Sequence, residues 1–214
     1  MKIVLDNLPA FLRATRTTAE LTALSFLVAM VIGTVVAGFR VSPIPPLRWV
    51  GTLYVELIRN TPLLVLMFLF FFGFPQIGIK YSTFTSAIIV LSAYTGTFVA
   101  ETVRAGINTV ATGQAEAARS LGLTFSQLLG LVILPQAFRA VVAPLGSVLI
   151  ALIKNSALAS VIAATDLTFL SVQLSNSTSR PVAVYLGAAF FYMALALPTG
   201  WAVGALERRV AVKR

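Results

Sequence analysis

The stretch that decides the fold is GINTVATGQAEAARSLGLTFSQLLGLVILPQAFR, residues 106–139. It is too polar to cross a bilayer and too long for a simple turn, yet long apolar runs precede and follow it. Helix formers at residues 114–121 predict one short helix. Gly122 is placed to end that helix in the left-handed conformation that glycine adopts without steric cost. The stretch is therefore predicted to be a structured loop between two membrane spans.

A second short helix is predicted after Gly122. Thr124 and Gln127 have the spacing of a capping box, in which each residue satisfies the other's free backbone N–H. The apolar stripe from Leu128 to Ile133 leads to Pro135, which is expected to end or kink the helix. Two short helices with a glycine joint are suited to docking on another protein. An amphipathic loop lying on lipid headgroups fits the same residues.

The composition is that of a chain embedded in lipid. Of the 214 residues, 58% are hydrophobic and 11% are charged, and the mean hydropathy is +0.92. Soluble domains carry roughly 25% charged residues, so this chain has too few charges to cover a globule with polar surface. It is predicted to be an all-α integral membrane protein.

Five transmembrane helices are predicted, because each needs an apolar run of about 20 residues. The runs are Leu21–Phe39 (starting as early as Thr17), Asn60–Ile79, Tyr81–Ala100, Ala140–Ala164 and Pro181–Leu206. Residues 1–16 mix apolar and charged side chains, which suits a short helix on the membrane interface. Because no repeat or linker divides the chain, residues 1–214 are predicted to form one domain, with residues 106–139 as the loop between spans three and four.

The basic residues predict the orientation. Five spans put the two termini on opposite sides of the membrane. With the C-terminus in the cytoplasm, the inner segments hold ten basic residues and the outer segments hold five, while Lys154 lies inside a span. Since positive charge concentrates on the cytoplasmic side, we expect the N-terminus outside and the C-terminus inside.

Several classes of function are excluded by what the sequence lacks. It has no cysteine and no histidine, so disulfides, thiolate metal sites and the commonest general base are absent, and neither catalysis nor a bound metal is expected. It has no GxxxxGK[ST] nucleotide-binding loop. The 16 basic against 7 acidic residues fit membrane orientation rather than nucleic-acid binding, because no basic cluster coincides with a foldable polar surface.

The loop carries a motif with long, defined spacing. Glu116-Ala117-Ala118 is followed after three residues by Gly122, and Leu134-Pro135 follows further on, with Val132 in between. This resembles the EAA motif of the membrane subunits of ABC importers, in which isoleucine stands at the position of Val132. The resemblance implies the type I ABC importer transmembrane fold, with this loop as a cytoplasmic coupling helix.

Other stretches resemble the branch of that family that imports polar amino acids. They are RNTPLL at 59–64, FVAE at 98–101, RAGI at 104–107, GQAEAA at 113–118 and LIKNSALASVI at 152–162. TFVAE at 97–101, RAGINTV at 104–110 and residues 113–123 look most similar to the glutamate permease subunits of actinobacteria. The resemblance thus implies a polar amino acid substrate, with glutamate first and aspartate or glutamine as alternatives.

The resemblance also implies partners. Two membrane subunits surround a pathway in the bacterial inner (plasma) membrane, two cytoplasmic ATPase subunits bind ATP and Mg, and an extracellular binding protein delivers the amino acid. The paired membrane subunits of the systems it resembles differ, so a heterodimer is expected, with no cofactor in this chain. The residues that the resemblance assigns to ATPase coupling are Gly113, Glu116, Ala117, Ala118, Gly122, Leu134 and Pro135.

Ionisable residues inside a span indicate function, because burying them in lipid is costly. Lys154 lies deep in the fourth predicted span and is followed by Asn155 and Ser156. A substrate carboxylate is a natural partner for the ammonium group. The alternatives are a lysine paired with a protein carboxylate, or one that extends to the membrane surface. The neutral Asn155 favours an acidic or neutral substrate, since relatives for cationic amino acids often carry an acid there.

Other polar residues have two interpretations each. Glu101 and Arg104 are three residues apart on one helix face and either pair with each other or line the inner pathway; Thr97 is a further pathway candidate. Arg59 and Asn60 form an inner gate, or Arg59 pairs with nearby Glu56.

Asp166, just beyond the fourth span, either contacts the binding protein or is merely solvated.

Three rival functions remain to be distinguished. A gradient-driven secondary amino acid transporter would normally show more spans and an inverted repeat. A channel subunit would need pore-lining rings but no coupling helix. An intramembrane enzyme is disfavoured by the missing histidine and cysteine. ATP dependence of uptake separates the importer from all three.

Overall fold

The computed structural model describes residues 2–124 and 127–210, which are helical almost throughout. The α-helices are α1 Lys2–Asp6, α2 Leu8–Val41, α3 Pro45–Arg59, α4 Leu63–Gly73, α5 Thr83–Asn108, α6 Thr112–Ser120, α7 Leu134–Asn155, α8 Leu167–Thr178 and α9 Pro181–Val210. Three segments have other helical repeats: a 3₁₀ turn at Phe74–Ile77, a π-helical segment at Leu128–Ile133 and a 3₁₀ segment at Ser156–Ile162.

Four stretches are long and apolar enough to cross a membrane, and a bent pair of helices makes a fifth span. The four are Leu8–Val41, Thr83–Asn108, Gly130–Ile162 and Pro181–Val210. They contain the first and fifth predicted spans and cover all but two residues of the third and of the fourth. The count of five is therefore confirmed when the bent pair is taken as one span.

The second predicted span differs from the structure. It was predicted over Asn60–Ile79, which corresponds to the arm Leu63–Ile77 alone. A first arm, Pro45–Arg59, was not predicted, and the two arms are bent by 99°. Pro62 stands at the N-cap of α4; it has no N–H to donate and disfavours the helical conformation of the residue before it. The break thus follows from Pro62.

The N-terminal segment also differs from the prediction. The expected short helix over residues 1–16 is wrong, because α2 starts at Leu8 and continues without interruption into the first span. Phe11 and Ala14 are buried in a cluster with Val184 and Phe191 of α9, and the rings of Phe11 and Phe191 are 5.3 Å apart. This apolar contact packs one face of the segment against α9, while Leu5 and Leu12 on the other side remain exposed.

The core of the bundle is the close packing of α2 against α5. A Cβ atom added at Gly33 would lie 2.7 Å from the carbonyl oxygen of Gly96, too close for any side chain. Ser92 donates a hydrogen bond of 3.2 Å to the carbonyl of Ser25. Small residues at such contacts let helix backbones approach closely, which is how helices in lipid gain packing energy.

Helix α8 lies in a stretch for which no helix was predicted. Its N-cap is Asp166, whose side chain accepts the backbone N–H of Phe169, and it ends at Ser179 in the left-handed conformation, with φ of 54°. The capping aspartate was visible in the sequence, but the helix has 12 residues, too few to register as a span.

Candidate functional site

The loop between α5 and α7 begins with α6, whose end is defined by backbone geometry. Gly122 has φ of 79°. Its N–H donates to the carbonyl of Arg119 at 2.9 Å, and the N–H of Leu123 donates to the carbonyl of Ala118 at 3.2 Å. These two bonds form a Schellman motif, which satisfies the last free carbonyls of a helix. The predicted glycine stop at Gly122 is confirmed.

The predicted capping box is also present. The backbone N–H of Thr124 donates to Oε1 of Gln127 at 2.9 Å, and the N–H of Gln127 donates to Oγ1 of Thr124 at 3.4 Å. The two residues between them lie outside the described residues. Pro135, which was expected to end or kink the helix, does not end it: the π-helical segment continues into α7, which carries Pro135 in its first turn, where a proline needs no hydrogen-bond partner.

One side-chain contact joins the two parts of the loop. Gln136 at the start of α7 donates a hydrogen bond of 2.6 Å to Oε1 of Gln114 in α6, and another of 2.9 Å to the carbonyl of Val132. The loop is thus hydrogen-bonded to the first turn of a spanning helix.

The loop presents a mixed polar and apolar surface. Leu121 is 81% exposed and Leu131 is 70% exposed. The residues that were assigned to coupling and have exposed side chains or backbone are Gly113, Glu116, Ala117, Gly122, Leu134 and Pro135. Ala118 differs, because it is only 6% exposed and packs into its own chain. Its expected contact with a partner is not supported by this geometry.

Next to the loop, at the same end of the bundle, is a cleft of about 450 Å³. It brings together two residues that the sequence singled out separately, Arg59 and Glu101. The other lining residues are Phe98, Thr102, Ala105, Gly106, Thr109, Ala140, Pro144 and Val148. The cleft therefore lies between the break of the bent span, the second half of α5 and the first half of α7.

Glu101 is the centre of an ion cluster. Its carboxylate accepts a hydrogen bond from Arg40 at the end of α2 and lies 3.5 Å from Nη2 of Arg104. The predicted pairing of Glu101 with Arg104 is therefore present. Arg40 was missed, because the two partners are 61 residues apart in the sequence and only the packing of α2 on α5 brings them together.

Arg59 stacks on an aromatic ring. Its guanidinium carbon lies 5.4 Å from the centre of the Phe98 ring, a cation–π contact. The predicted alternative of a pair with Glu56 is not among the ion pairs of the described residues. Glu56 instead accepts a hydrogen bond of 3.0 Å from Asn60. Arg59 thus places its guanidinium group at the wall of the cleft.

The polar residues of the fourth span separate into different environments. Lys154 is exposed and Asn155 is half-buried at the end of α7. Ser156 is fully buried, and its hydroxyl donates 2.8 Å to the carbonyl of Ile153. Thr97 is likewise fully buried, with its hydroxyl 2.7 Å from the carbonyl of Tyr94. The pathway roles expected for Ser156 and Thr97 are not supported in this conformation, because protein atoms enclose both side chains.

Asp166 was expected to be exposed, and this is wrong. Its residue is 0% exposed, with the carboxylate held by the N–H of Phe169 at 2.8 Å and the hydroxyl of Tyr192 at 3.3 Å. Burial raises the pKa of the Asp166 carboxyl to about 6. Among the described residues, no group of acidic side chains has the arrangement of a metal site.

A family model and individual relatives both match this chain over most of its length. Residues 29–212 match the family described as "binding-protein-dependent transport system inner membrane component". The chain is 40% identical to a probable glutamine ABC transporter permease protein of Bacillus subtilis, over 98% of this chain and 97% of that protein. It is 41% identical to a glutamate transport system permease protein of Corynebacterium glutamicum, over 96% of each.

Solved structures agree with these matches. A crystal structure of an amino acid ABC transporter with histidines superposes with a TM-score of 0.91 at 35% sequence identity, covering 96% of each chain. The methionine ABC transporter MetNI, in an inward-facing conformation, superposes with a TM-score of 0.80 at 22% identity, a likeness of fold alone.

Proposed function

The chain belongs to the family of binding-protein-dependent transport system inner membrane components, and on that premise we propose that its importer carries glutamate, with aspartate or glutamine as alternative substrates. The coarser function is established by the family and the relatives. The protein is a multi-pass plasma membrane subunit of an ATP-driven importer of polar amino acids. It is not itself an enzyme, because a partner ATPase hydrolyses the ATP.

The observation that carries the substrate proposal is an excess of cations at the polar positions of the bundle. The ion cluster and the cleft beside it hold Arg40, Arg59 and Arg104 against Glu101 and Glu56, the latter bound to Asn60. Lys154 adds a further exposed positive charge. An excess of positive charge attracts a substrate with net negative charge, which glutamate has and glutamine lacks. The relatives are named for both substrates.

The recognition step follows from the positions of Lys154 and Asn155. The exposed ammonium group of Lys154 pairs with a substrate carboxylate, and Asn155 supplies hydrogen bonds without adding charge. The substrate then moves along the cleft past Arg59 and Glu101. Arg59 and Asn60 at the break of the second span act as the inner gate.

The coupling step uses α6. Its exposed Glu116 and Ala117 dock on the ATPase subunit, and the Schellman turn at Gly122 fixes the direction in which α6 is presented. The bond between Gln136 and Gln114 transmits the motion of α6 to α7. The spans then rock as rigid bodies and open the pathway to alternate sides.

The remaining partners complete the assembly. Family membership implies an ATPase and a substrate-binding protein. We infer two ATPase subunits that bind ATP and Mg, and a second, different membrane subunit. We also infer that the N-terminus is outside, so that α6 and the cleft lie on the cytoplasmic side.

Uptake by the reconstituted importer in liposomes tests this function. With its partner subunits and binding protein, we expect ATP-dependent uptake of labelled glutamate and aspartate and little uptake of arginine. Glu116→Lys should reduce uptake at least about tenfold, because it reverses a charge at the docking surface. Glu207→Lys is the matched control, since Glu207 is also an exposed acid but lies near the end of α9.

The outcomes separate the parts of the proposal. Uptake of arginine or glutamine in place of the acidic amino acids would contradict the glutamate assignment. Equal loss in both lysine variants would contradict the role of α6, while uptake that follows a proton or sodium gradient without ATP would favour a secondary transporter.

A further inference from the structure

The cleft next to the loop has two walls of different chemistry. Arg59, at the end of α3, belongs to one wall, and Ala140 and Pro144 of α7 belong to the other. α5 packs against both helices and forms the floor between them. α5 and α7 approach closely at Gly106, where an added Cβ atom would lie 3.1 Å from the carbonyl oxygen of Ala137. The first half of α7 is therefore held tightly against the floor of the cleft.

Pro144 changes the hydrogen bonding of α7 at its wall. Because proline has no N–H, the carbonyl of Ala140, four residues earlier, loses its usual helical donor, and the proline ring displaces that carbonyl. Pro144 lies inside α7, and both residues are exposed. Ser147 has the nearest following hydroxyl on α7, but it donates to the carbonyl of Ala143. None of the side-chain hydrogen bonds described for α7 reaches the Ala140 carbonyl.

A backbone carbonyl released in this way needs another donor. At membrane depth such a group is tolerated where it lines a water-filled cavity or meets a polar partner. Ala140 and Pro144 both line the cleft, which has a volume of about 450 Å³, within the usual range for small-molecule sites. The carbonyl oxygen is an acceptor without net charge, and a charged donor such as an ammonium group makes the stronger hydrogen bond to it.

The charged groups around the cleft complement this acceptor. The Glu101 carboxylate is engaged by Arg40 and Arg104. Arg59 takes part in none of the ion pairs among the described residues, and its guanidinium group stacks on Phe98. The cleft thus offers a cation on one wall and a neutral acceptor on the other. An α-amino acid carries the matching pair, a carboxylate and an ammonium group on one carbon atom.

We propose that the cleft is a second binding site for the transported amino acid, in which Arg59 binds the α-carboxylate and the Ala140 carbonyl, released by Pro144, binds the α-ammonium group. The site recognises the part that all α-amino acids share, so the side chain of the substrate is selected elsewhere, at Lys154 and Asn155. The proposal rests on the proposed function, because it requires an amino acid to pass through the cleft.

Protection of a single cysteine from chemical labelling tests this site. The chain has no cysteine, and Ala105 is exposed and lines the cleft, so Ala105→Cys places one thiol there. The nucleotide-free importer, complete with its partner subunits in nanodiscs, is treated with a thiol reagent at increasing concentrations of glutamate. Glutarate, which is glutamate without its ammonium group, is titrated in parallel. Mass spectrometry of this chain measures the labelling rate, and we expect both compounds to slow it.

Pro144→Ala, made in the Ala105→Cys chain, restores an N–H that pairs with the Ala140 carbonyl. The concentration of glutamate that gives half-protection should rise about tenfold, because a hydrogen bond to a charged group is lost. The value for glutarate should stay within about twofold, since glutarate has no ammonium group to lose. Arg59→Gln should weaken protection by both compounds, because both carry carboxylates.

The matched control is Pro198→Ala in the same reporter chain. Pro198 is likewise an exposed proline inside a spanning helix, α9, but α9 contributes no residue to the lining of the cleft. It should change the half-protection concentration of neither compound.

Three results would overturn the second site. The first is an unchanged value for glutamate in Pro144→Ala. The second is an equal rise for glutamate and glutarate, which would mean that the bend of α7 matters and the free carbonyl does not. The third is a reporter complex that no amino acid protects although it takes up glutamate with ATP, a result that leaves the proposed function intact.

The substrate assignment fails in a different way. Protection by arginine in place of glutamate would contradict glutamate as the substrate. The second site would then still require that Pro144→Ala weaken protection by arginine and leave protection by its analogue without the α-ammonium group unchanged.

Discussion

Two acids lie in polar clusters at opposite ends of the same bundle, and the protein compensates them in different ways. Glu101 faces Arg40 and Arg104, so its charge is balanced by cations. Asp166 is held only by N–H and hydroxyl groups. The clusters contact α2 at Arg40 and, through Leu167, at Thr18, which are roughly 33 Å apart at a rise of about 1.5 Å per residue.

This difference in charge compensation predicts how each cluster affects the stability of the fold. Burying an ion cluster costs desolvation free energy. Its largest effect on the stability of the fold appears when one partner is removed and the other charges stay buried. Burial of a carboxylate raises its proton affinity, and neutral donors offset only part of that rise. Glu101 is therefore expected to be sensitive to substitution, and Asp166 to be sensitive to pH.

The largest effect is expected for Glu101→Gln. It leaves Arg40, whose side chain is 10% exposed, without its carboxylate and should destabilise the fold by about 3 kcal/mol. The measurement is detergent-induced unfolding of the purified subunit. Combining it with Arg40→Gln should cost less than the sum of the two single substitutions. Additive costs would show that the two residues do not form a pair.

A smaller effect is expected for Asp166→Asn, and it depends on pH. The folded-state pKa of about 6 lies above the ordinary value of 3.8, so folding favours the protonated carboxyl. Its contribution to stability is complete below pH 4 and is lost as the pH rises through 6. Between pH 5 and 7.5 the wild type should lose about 1 kcal/mol relative to the asparagine variant.

Unfolding of both proteins at several pH values measures this difference. A stability difference that does not change with pH would contradict the description of Asp166 as a weakly compensated carboxylate. The opposite slope would mean that a cation pairs with it, and Arg13, which lines the same pocket as Asp166, is the candidate.

The smallest effect is expected for Arg16→Gln. Arg16 and Glu20 form an ion pair one helical turn apart, with side chains 82% and 49% exposed. Solvent and salt screen such pairs, so the thermal midpoint should not change measurably. A clear decrease would show that exposure is not what separates this pair from the cluster at Glu101.

The local features of the loop could be predicted from the sequence because they depend on neighbours in the chain. The glycine stop at Gly122 needs only a left-handed residue after a helix, and the box of Thr124 and Gln127 needs only a spacing of three residues. The break at Pro62 was also encoded locally, but the apolar run around it concealed the bend. Length and hydropathy alone do not distinguish a straight span from two arms.

The candidate site was only partly predictable, because its contacts join residues that are far apart in the chain. The sequence identified Arg59, Glu101 and Lys154, because charges in apolar runs are conspicuous. It did not reveal that Arg59 and Glu101 share one cleft, or that Ser156 and Thr97 face the protein interior. Which side of a helix is enclosed depends on its neighbours, and an apolar helix in lipid has little amphipathic pattern to indicate them.

By itself, the sequence determined that this chain lies in the membrane, how many times it crosses, and where its loop turns, because hydropathy and capping act over a few residues. Only the tertiary structure decided which distant groups meet. Arg40 reaches Glu101 across 61 residues, and Leu167 reaches Thr18 across 149. Those contacts depend on the close approach of α2 to α5 and α8, and helix packing of this kind follows from three-dimensional shape rather than from any short sequence pattern.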